Sequence, residues 1–372
     1  MPKWGLSMTE GKVGRWLVEE GAEVSPGVEL VEIETDKILS SLEAPAPGIL
    51  RRKIAREGDR VPVAGLLAVI ADAAEPDSQI DVFVRDFQSD FVIEEGESEA
   101  SGPVTEVTLL EGQSLRWLKR GQGGDAAILI HGFGGDINNW LFNHQDLAAA
   151  CTVYALDLPG HGGSSKHVGR GDLSEFAQVL NGFMDALGLS KAHLVGHSLG
   201  GGVALEFALA HPDRVASLAL IASAALGPEI DGEYINGFIA SGRRKEIEPH
   251  IQKLFANPKL IDRQLIENVL KYKRLDGVEL ALRTIAANFC PGSRQAVVLR
   301  DRLAELSVPI IVIWGAEDRI IPPSHADNLP EKVRTEIFPG SGHMVQLEAH
   351  AKVNQVIRLF WEAPTGFRGQ AT

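Results

Sequence analysis

Sliding the first seventy residues against themselves by 37 positions superposes Gly11 on Gly48, Glu20 on Glu57, Gly21 on Gly58, Val24 on Val61, Leu30 on Leu67 and Ile33 on Ile70. Matches repeated at one offset mark an internal duplication, and a duplication this short leaves few folds open. Each half carries β-rich runs, Trp16-Leu17-Val18 in the first and Leu66-Leu67-Ala68-Val69-Ile70 in the second. Glu-Gly turn signals and the prolines Pro26 and Pro62 separate them. The expected fold of this region is two similar sheets packed as a small β sandwich. Between the halves lies Ile33-Glu34-Thr35-Asp36-Lys37-Ile38, a polar hairpin tip with strand-like flanks that holds Lys37 out in solvent.

A lone hairpin lysine is ordinarily just a solvated side chain. Glu34-Thr35-Asp36-Lys37 between two quasi-symmetric halves, however, resembles the lipoyl domains of 2-oxo acid and acetoin dehydrogenase complexes. The resemblance implies that Lys37 carries lipoate. Biotinyl domains share the sandwich but usually flank their lysine with methionines, where Asp36 and Ile38 stand here.

From Asp72 to Pro103 the chain turns acidic and loses periodicity, most strongly around Glu94, Glu95, Glu97 and Glu99. The expected division is a carrier domain over 1–72 and an acidic linker over 73–103. Ile80, Phe83, Val84 and Phe87 fall near one face at helical spacing, so a short helix within the linker could dock rather than float. As a flexible chain, about thirty residues span about 30 Å and hold the carrier at roughly millimolar effective concentration. Neither a peripheral subunit-binding domain nor a His-x-x-x-Asp-Gly signature, both common in acyltransferases of 2-oxo acid complexes, is recognisable.

Residues 104–362 alternate strand and helix patterns, the expectation for an α/β-hydrolase fold with a mostly parallel central sheet. A tail over 363–372 follows. The runs Ala126–Ile130, Val153–Leu156, Ala192–Val195, Leu218–Ile221 and Pro309–Trp314 are continuous enough to be strands buried on both faces. After the third of them comes Gly196-His197-Ser198-Leu199-Gly200-Gly201-Gly202, followed by a helical run, Val203 to His211. This is G-x-S-x-G in the strand-turn-helix context it needs, with Ser198 as nucleophile. Backbone amides of Leu199 and of Phe133, in His131-Gly132-Phe133-Gly134-Gly135, would form the oxyanion hole. Asp318, in Trp-Gly-Ala-Glu-Asp-Arg, and His343, in Pro-Gly-Ser-Gly-His-Met, complete the chain order Ser, Asp, His. Glu317 is the competing acid. His131, His161 and His197 are read as loop-ordering residues rather than catalytic ones.

About ninety residues, with a lid placed at about 225–300, separate the last two apolar runs. Helical periodicity over Tyr234 to Phe255 and Ile261 to Phe289 predicts a cover over Ser198. The insertion carries Arg243-Arg244-Lys245 and Lys271-Tyr272-Lys273-Arg274, ordinarily solvated helix faces. One of these clusters, Arg243 and Arg244 in particular, could instead meet phosphate groups.

A chain of 372 residues with 50 Asp and Glu against 36 Lys and Arg is net acidic, which disfavours nucleic acid and anionic membrane as partners. Cys151 and Cys290 support neither a disulfide framework nor a thiolate metal site, and no His, Asp and Glu cluster has metal spacing. With no signal-peptide or membrane-spanning run, the expected compartment is the cytoplasm.

Over nearly its whole length the chain resembles the acyltransferase component of acetoin dehydrogenase systems, a lipoyl domain followed by an α/β-hydrolase domain. The resemblance implies acetyl transfer from the lipoyl arm to coenzyme A as co-substrate, without a metal. It also implies a thiamine-diphosphate-dependent acetoin dehydrogenase component, a dihydrolipoyl dehydrogenase and a lipoate-attaching enzyme as partners, and a homo-oligomer. Transfer through an acyl-Ser198 ester and direct attack of one thiol on the other's thioester both remain open, and the triad alone would equally suit an esterase or thioesterase.

Overall fold

The computed structural model describes residues 10–34, 39–62, 65–90, 105–110, 112–261 and 263–362. The chain divides into two compact units, Met1–Gly102 and Pro103–Thr372.

In the first unit the duplication is visible bond by bond. Strands β1 (Glu10–Trp16), β2 (Glu23–Val24) and β3 (Glu29–Glu34) are matched at the 37-residue offset by β5 (Gly48–Lys53), β6 (Arg60–Pro62) and β7 (Ala68–Ala71), with β4 (Leu39–Glu43) between the halves. Each half lends its short strand to the other: β2 pairs with β5, and β6 pairs with β1. Two sheets result, in the orders β4-β3-β1-β6 and β2-β5-β7.

The tight-turn contacts repeat in the same way. Gly21 N–H donates to Leu50 O and Gly58 N–H to Val13 O, and both glycines sit at positive φ, 89° and 92°. The Glu57 carboxylate accepts from Trp16 N–H, and Glu20 from Lys53 N–H. Val13, Val24, Leu30, Ile33, Leu50 and Leu67 fill the space between the sheets.

The segment expected to belong to the linker contains the helix α1 (Asp77–Asp90). Arg51 bonds Asp77 at 2.7 Å, Arg52 lies 3.7 Å from Asp81, and Ile80 is buried. The helix is therefore bound to the first unit. Of the apolar face expected there, Phe83 is half exposed, its ring centroid 6.1 Å from that of its neighbour Phe87. Residues 91–104, including the acidic run, and the tail 363–372 lie outside the described residues.

The second unit is built on one sheet of β8 (Thr105–Leu110), β9 (Gln113–Arg120), β10 (Ala126–Ile130), β11 (Thr152–Leu156), β12 (Ala192–His197), β13 (Val215–Ile221), β14 (Ile310–Gly315) and β15 (Val333–Phe338). Their order is β15-β14-β13-β12-β10-β11-β9-β8. From β11 to β15 all pairs are parallel, and β8 and β9 close one edge antiparallel. β10 to β13 are buried on both faces, as their unbroken apolar runs require. The chain leaves β10 to one side for β11 and returns to the other side for β12. That reversal opens a crevice beyond the carboxyl ends of β10 and β12, where ligands of open α/β sheets bind.

Helices α2 (His144–Leu147), α3 (Leu173–Ala186), α4 (Leu199–Ala210), α9 (Val345–Glu348) and α10 (His350–Glu362) belong to the body of this unit. Between β13 and β14 the inserted segment folds into α5 (Gly232–Ala240), α6 (Arg244–Lys253), α7 (Arg263–Lys273) and α8 (Val278–Phe289). The sequence reads this segment as two long helices, but each breaks once. Ser241 and Arg243 take extended backbone, and the Glu246 carboxylate accepts from the amides of Gly242 and Arg243 to start α6 afresh. At the second break Gly277 adopts the left-handed conformation and caps α8.

Candidate active site

Ser198 occupies the turn from β12 into α4 with φ 52° and ψ −118°, a region that L-residues rarely adopt. Its backbone over-determines this strain: the Ser198 amide donates to Ile221 O, and its carbonyl accepts from Gly201, Gly202 and Ala224 amides. The flanking glycines are needed for close approach. A Cβ on Gly196 would lie 2.3 Å from Gly200 O, and one on Gly200 would lie 2.3 Å from Ile130 O. Leu199 opens α4, so its amide has no acceptor within the helix and faces the end where negative charge is favoured.

Across the crevice His343 donates from Nδ1 to Asp318 Oδ2 at 2.8 Å. Asp318 Oδ2 also receives Trp314 Nε1–H at 3.0 Å, while Oδ1 receives the amides of Ile320 and Ile321. A buried carboxylate with this many donors is held in one orientation. Glu317 is exposed and does not share the bond, so the geometry selects Asp318. With its Nδ1 proton committed to Asp318, the imidazole has only Nε2 free for chemistry.

The loop carrying Phe133 follows β10. A Cβ on Gly132 would lie 3.0 Å from the Cβ of Ser198, so this loop lies directly against the serine. It is held by Asp157, to which the sequence gives no role, and by His131, read from the sequence as loop-ordering. Asp157, fully buried, receives Arg116 Nε–H at 2.5 Å and the amides of Ile137 and Gly163. His131 donates from Nδ1 to Gly132 O and accepts Leu158 N–H at Nε2, and burial lowers its pKa, so it stays neutral. Asp157 stands in Asp-Leu-Pro-Gly-His, but its partner Arg116 is 41 residues away, and no local spacing reveals the pair.

The inserted helices close over this constellation. Phe238 of α5 packs edge-on against Phe133 with ring centroids 6.0 Å apart. Met344 N–H donates to Leu254 O, and the Glu348 carboxylate accepts from both Gly342 N–H beside His343 and Asn257 N–H of the cover. Tyr272 OH donates to Gly160 O at 2.8 Å. Ser198 and His343 are both buried beneath the body and cover of this unit.

Of the two basic clusters, one is partly turned inward. Lys273 donates to the carbonyls of Phe238, Ile239 and Ser241, and burial lowers its pKa to about 8, so it ties α7 to α5. Arg243 and Arg244 are exposed at the first turn of α6, with Arg244 3.4 Å from Glu248. The structure does not bring them to Ser198.

Lys37 lies outside the described residues. Its frame is described: β3 and β4 pair antiparallel down to Glu34 opposite Leu39, leaving a four-residue connection of which Lys37 is the third. Among the described residues no group of His, Cys, Asp and Glu could hold a metal ion, and no helix is long and apolar enough to cross a membrane.

Residues 1–70 match the family described as biotin-requiring enzyme, and residues 126–350 the family described as alpha/beta hydrolase fold. The second unit is similar to the solved 2-hydroxy-6-oxo-6-phenylhexa-2,4-dienoate hydrolase from Rhodococcus sp. strain RHA1, with a TM-score of 0.64, 22% identity and coverage of 70% of this chain and 99% of that one. That likeness shows the fold. Two relatives span both units. The dihydrolipoyllysine-residue acetyltransferase component of the acetoin cleaving system of Pseudomonas putida is 49% identical over 97% of either chain. Its counterpart from Cupriavidus necator is 42% identical over 96% of this chain and 95% of its own. A duplicated carrier sandwich joined to an α/β-hydrolase domain, matched end to end at this identity, places the chain in the family of dihydrolipoyllysine-residue acetyltransferase components of acetoin cleaving systems.

Proposed function

We propose that Ser198, His343 and Asp318 transfer an acetyl group from a lipoyl arm on Lys37 to coenzyme A, within a cytoplasmic acetoin cleaving system. The observation that carries the reading is the Asp318–His343 bond, with His343 packed against His197, the residue just before the strained Ser198, in a chain that also contains a carrier sandwich. A hairpin connection suits a carrier lysine, because both flanking strands are fixed by pairing while the arm extends from their end. When attached, the lipoyl group supplies a thiol that carries acetyl as a thioester.

Ser198 Oγ attacks the thioester carbonyl as its proton passes to His343 Nε2, and the amides of Phe133 and Leu199 receive the charge on oxygen. His343 would then return that proton to the leaving thiolate as the C–S bond breaks. In the second half His343 accepts the thiol proton of coenzyme A, whose sulfur attacks the Ser198 ester. The C–O bond breaks and the proton returns to Ser198. Moving acetyl from oxygen back to sulfur is uphill, so direct attack of coenzyme A on the arm's thioester, with Ser198 only hydrogen-bonding, is the rival route. Rapid quench with radiolabelled acetyl-dihydrolipoamide separates them: label trapped on Ser198 excludes direct exchange.

Arg243 and Arg244, exposed at the start of α6, are proposed to meet the phosphates of coenzyme A. Replacing both by Gln raises the apparent KM for coenzyme A, and an unchanged KM removes them from the site. The partners this reading requires are a thiamine-diphosphate-dependent acetoin dehydrogenase component, a dihydrolipoyl dehydrogenase and a lipoate-attaching enzyme, with the chain itself in a homo-oligomer. Intact-mass measurement from the native host, showing a lipoyl increment on Lys37, tests the carrier. Release of acetyl-coenzyme A rather than free acetate from the acetylated carrier tests the transfer.

A further inference from the structure

His197 ends β12, immediately before Ser198, and its side chain is buried. Its Nε2 lies 3.0 Å from the carbonyl oxygen of His343, and the two rings approach to 4.8 Å at 56°. A carbonyl can only accept, so Nε2 carries the proton and Nδ1 is the bare nitrogen of the ring. That nitrogen is buried without a hydrogen-bond partner, and a Cβ on Gly132 would come within 2.9 Å of it. One imidazole therefore touches all three moving parts of the site: the serine turn through its own backbone, the base through its carbonyl, and the oxyanion loop through Gly132. Burial holds its pKa well below the ordinary imidazole value, with repulsion from His343 adding to it. The ring stays neutral while His343 gains and loses its proton.

We propose that His197 is a positioning residue for the acyl-transfer reaction, whose Nε2–H fixes the backbone of His343 while Asp318 fixes its ring. Asp318 fixes the rotation of the ring about Cβ–Cγ, and the Met344 N–H to Leu254 O bond holds the amide side of the His343–Met344 peptide. The bond from His197 holds the carbonyl side of that peptide and so sets where the ring is anchored. The inference rests on the reading of Ser198 and His343 as nucleophile and base.

The test compares His197→Gln, whose amide nitrogen can reach the His343 carbonyl, with His197→Asn, whose shorter amide cannot. Activity toward a simple acetyl ester is measured in the full chain, together with melting temperature and the low-field proton resonance of the His343–Asp318 bond. The Asn variant is expected to lose about tenfold or more in kcat with KM nearly unchanged and a broadened resonance, and the Gln variant to recover most of both. Equal kcat in the two variants, or a loss that tracks melting temperature alone, overturns the proposal. Ser198→Ala is run beside them: if it keeps activity, the reading of the site fails, whereas an inactive Ser198→Ala with equal His197 variants sinks the positioning role alone.

Discussion

Ser198, the proposed nucleophile, shows how a strained turn costs its neighbours their own side chains. Glycines at 196 and 200 face carbonyl oxygens at 2.3 Å from where a Cβ would stand, so the turn exists only because those positions are bare. The acid is chosen by similar local detail. Asp318→Asn keeps the shape but places an amide against donors from Trp314, Ile320 and Ile321, so kcat should fall by roughly 10³–10⁴. Glu317→Gln, altering an exposed neighbour, should leave kcat within about twofold. Comparable losses in both variants would contradict the assignment.

The buried histidines also set a pH limit. Burial depresses the pKa of His131, His161 and His197 in the folded chain, so below the unfolded imidazole value of about 6.5 the unfolded chain takes up protons that the folded one refuses. Their contribution to stability is complete above that value and is lost as pH falls beneath it. Each such ring adds at most about 1.4 kcal/mol per pH unit to the slope, His193 adds in the same direction, and Asp136, whose pKa burial raises to about 6, opposes it. Urea unfolding at several pH values between 7.5 and 5 measures the slope, and His161→Phe should remove one proton from it. A slope unaltered by that substitution would refute the account.

At the scale of elements, the parallel strands were legible because strands buried on both faces are largely apolar, and Ala126–Ile130 or Leu218–Ile221 carry that signature without interruption. Edge strands carry less. β15 has the polar run Arg334-Thr335-Glu336 at its centre and β8 is largely exposed, so neither stands out from the surrounding loops. The breaks in the cover were hidden for another reason: Ser241 and Gly242 lie inside a stretch whose flanks both have helical spacing, and the Glu246 carboxylate, bonding the amides of Gly242 and Arg243, marks the restart. The nucleophile turn was legible because its glycines and serine are adjacent in sequence. Arg116 with Asp157, and Glu348 with Gly342 and Asn257, were not, because tertiary folding alone brings them together. In the first unit the duplication supplies its own control. Glu57→Ala and Glu20→Ala remove symmetry-related bonds, but the Trp16 amide is part-buried where the Lys53 amide is exposed. The Glu57 variant should therefore lose about 1–2 kcal/mol of stability and the Glu20 variant less, by chemical unfolding of each. The reverse order would mean that exposure does not govern these bonds.

For the whole molecule, the consequence to draw out is that of α1 gripped by Arg51 and Arg52. While that clasp holds, residues 77–90 are taken up by the first unit, and only residues 91–104 remain in sequence between the described parts of the two units. Releasing α1 by replacing Arg51 and Arg52 with Ala would let out a longer line and dilute the carrier around its own catalytic unit. Transfer within one chain should then slow while transfer from added free carrier is untouched, a contrast readable in single-turnover rates. If both rates stay level, the clasp does not govern reach. If they diverge, two guanidinium groups set how far an acetyl cargo can roam.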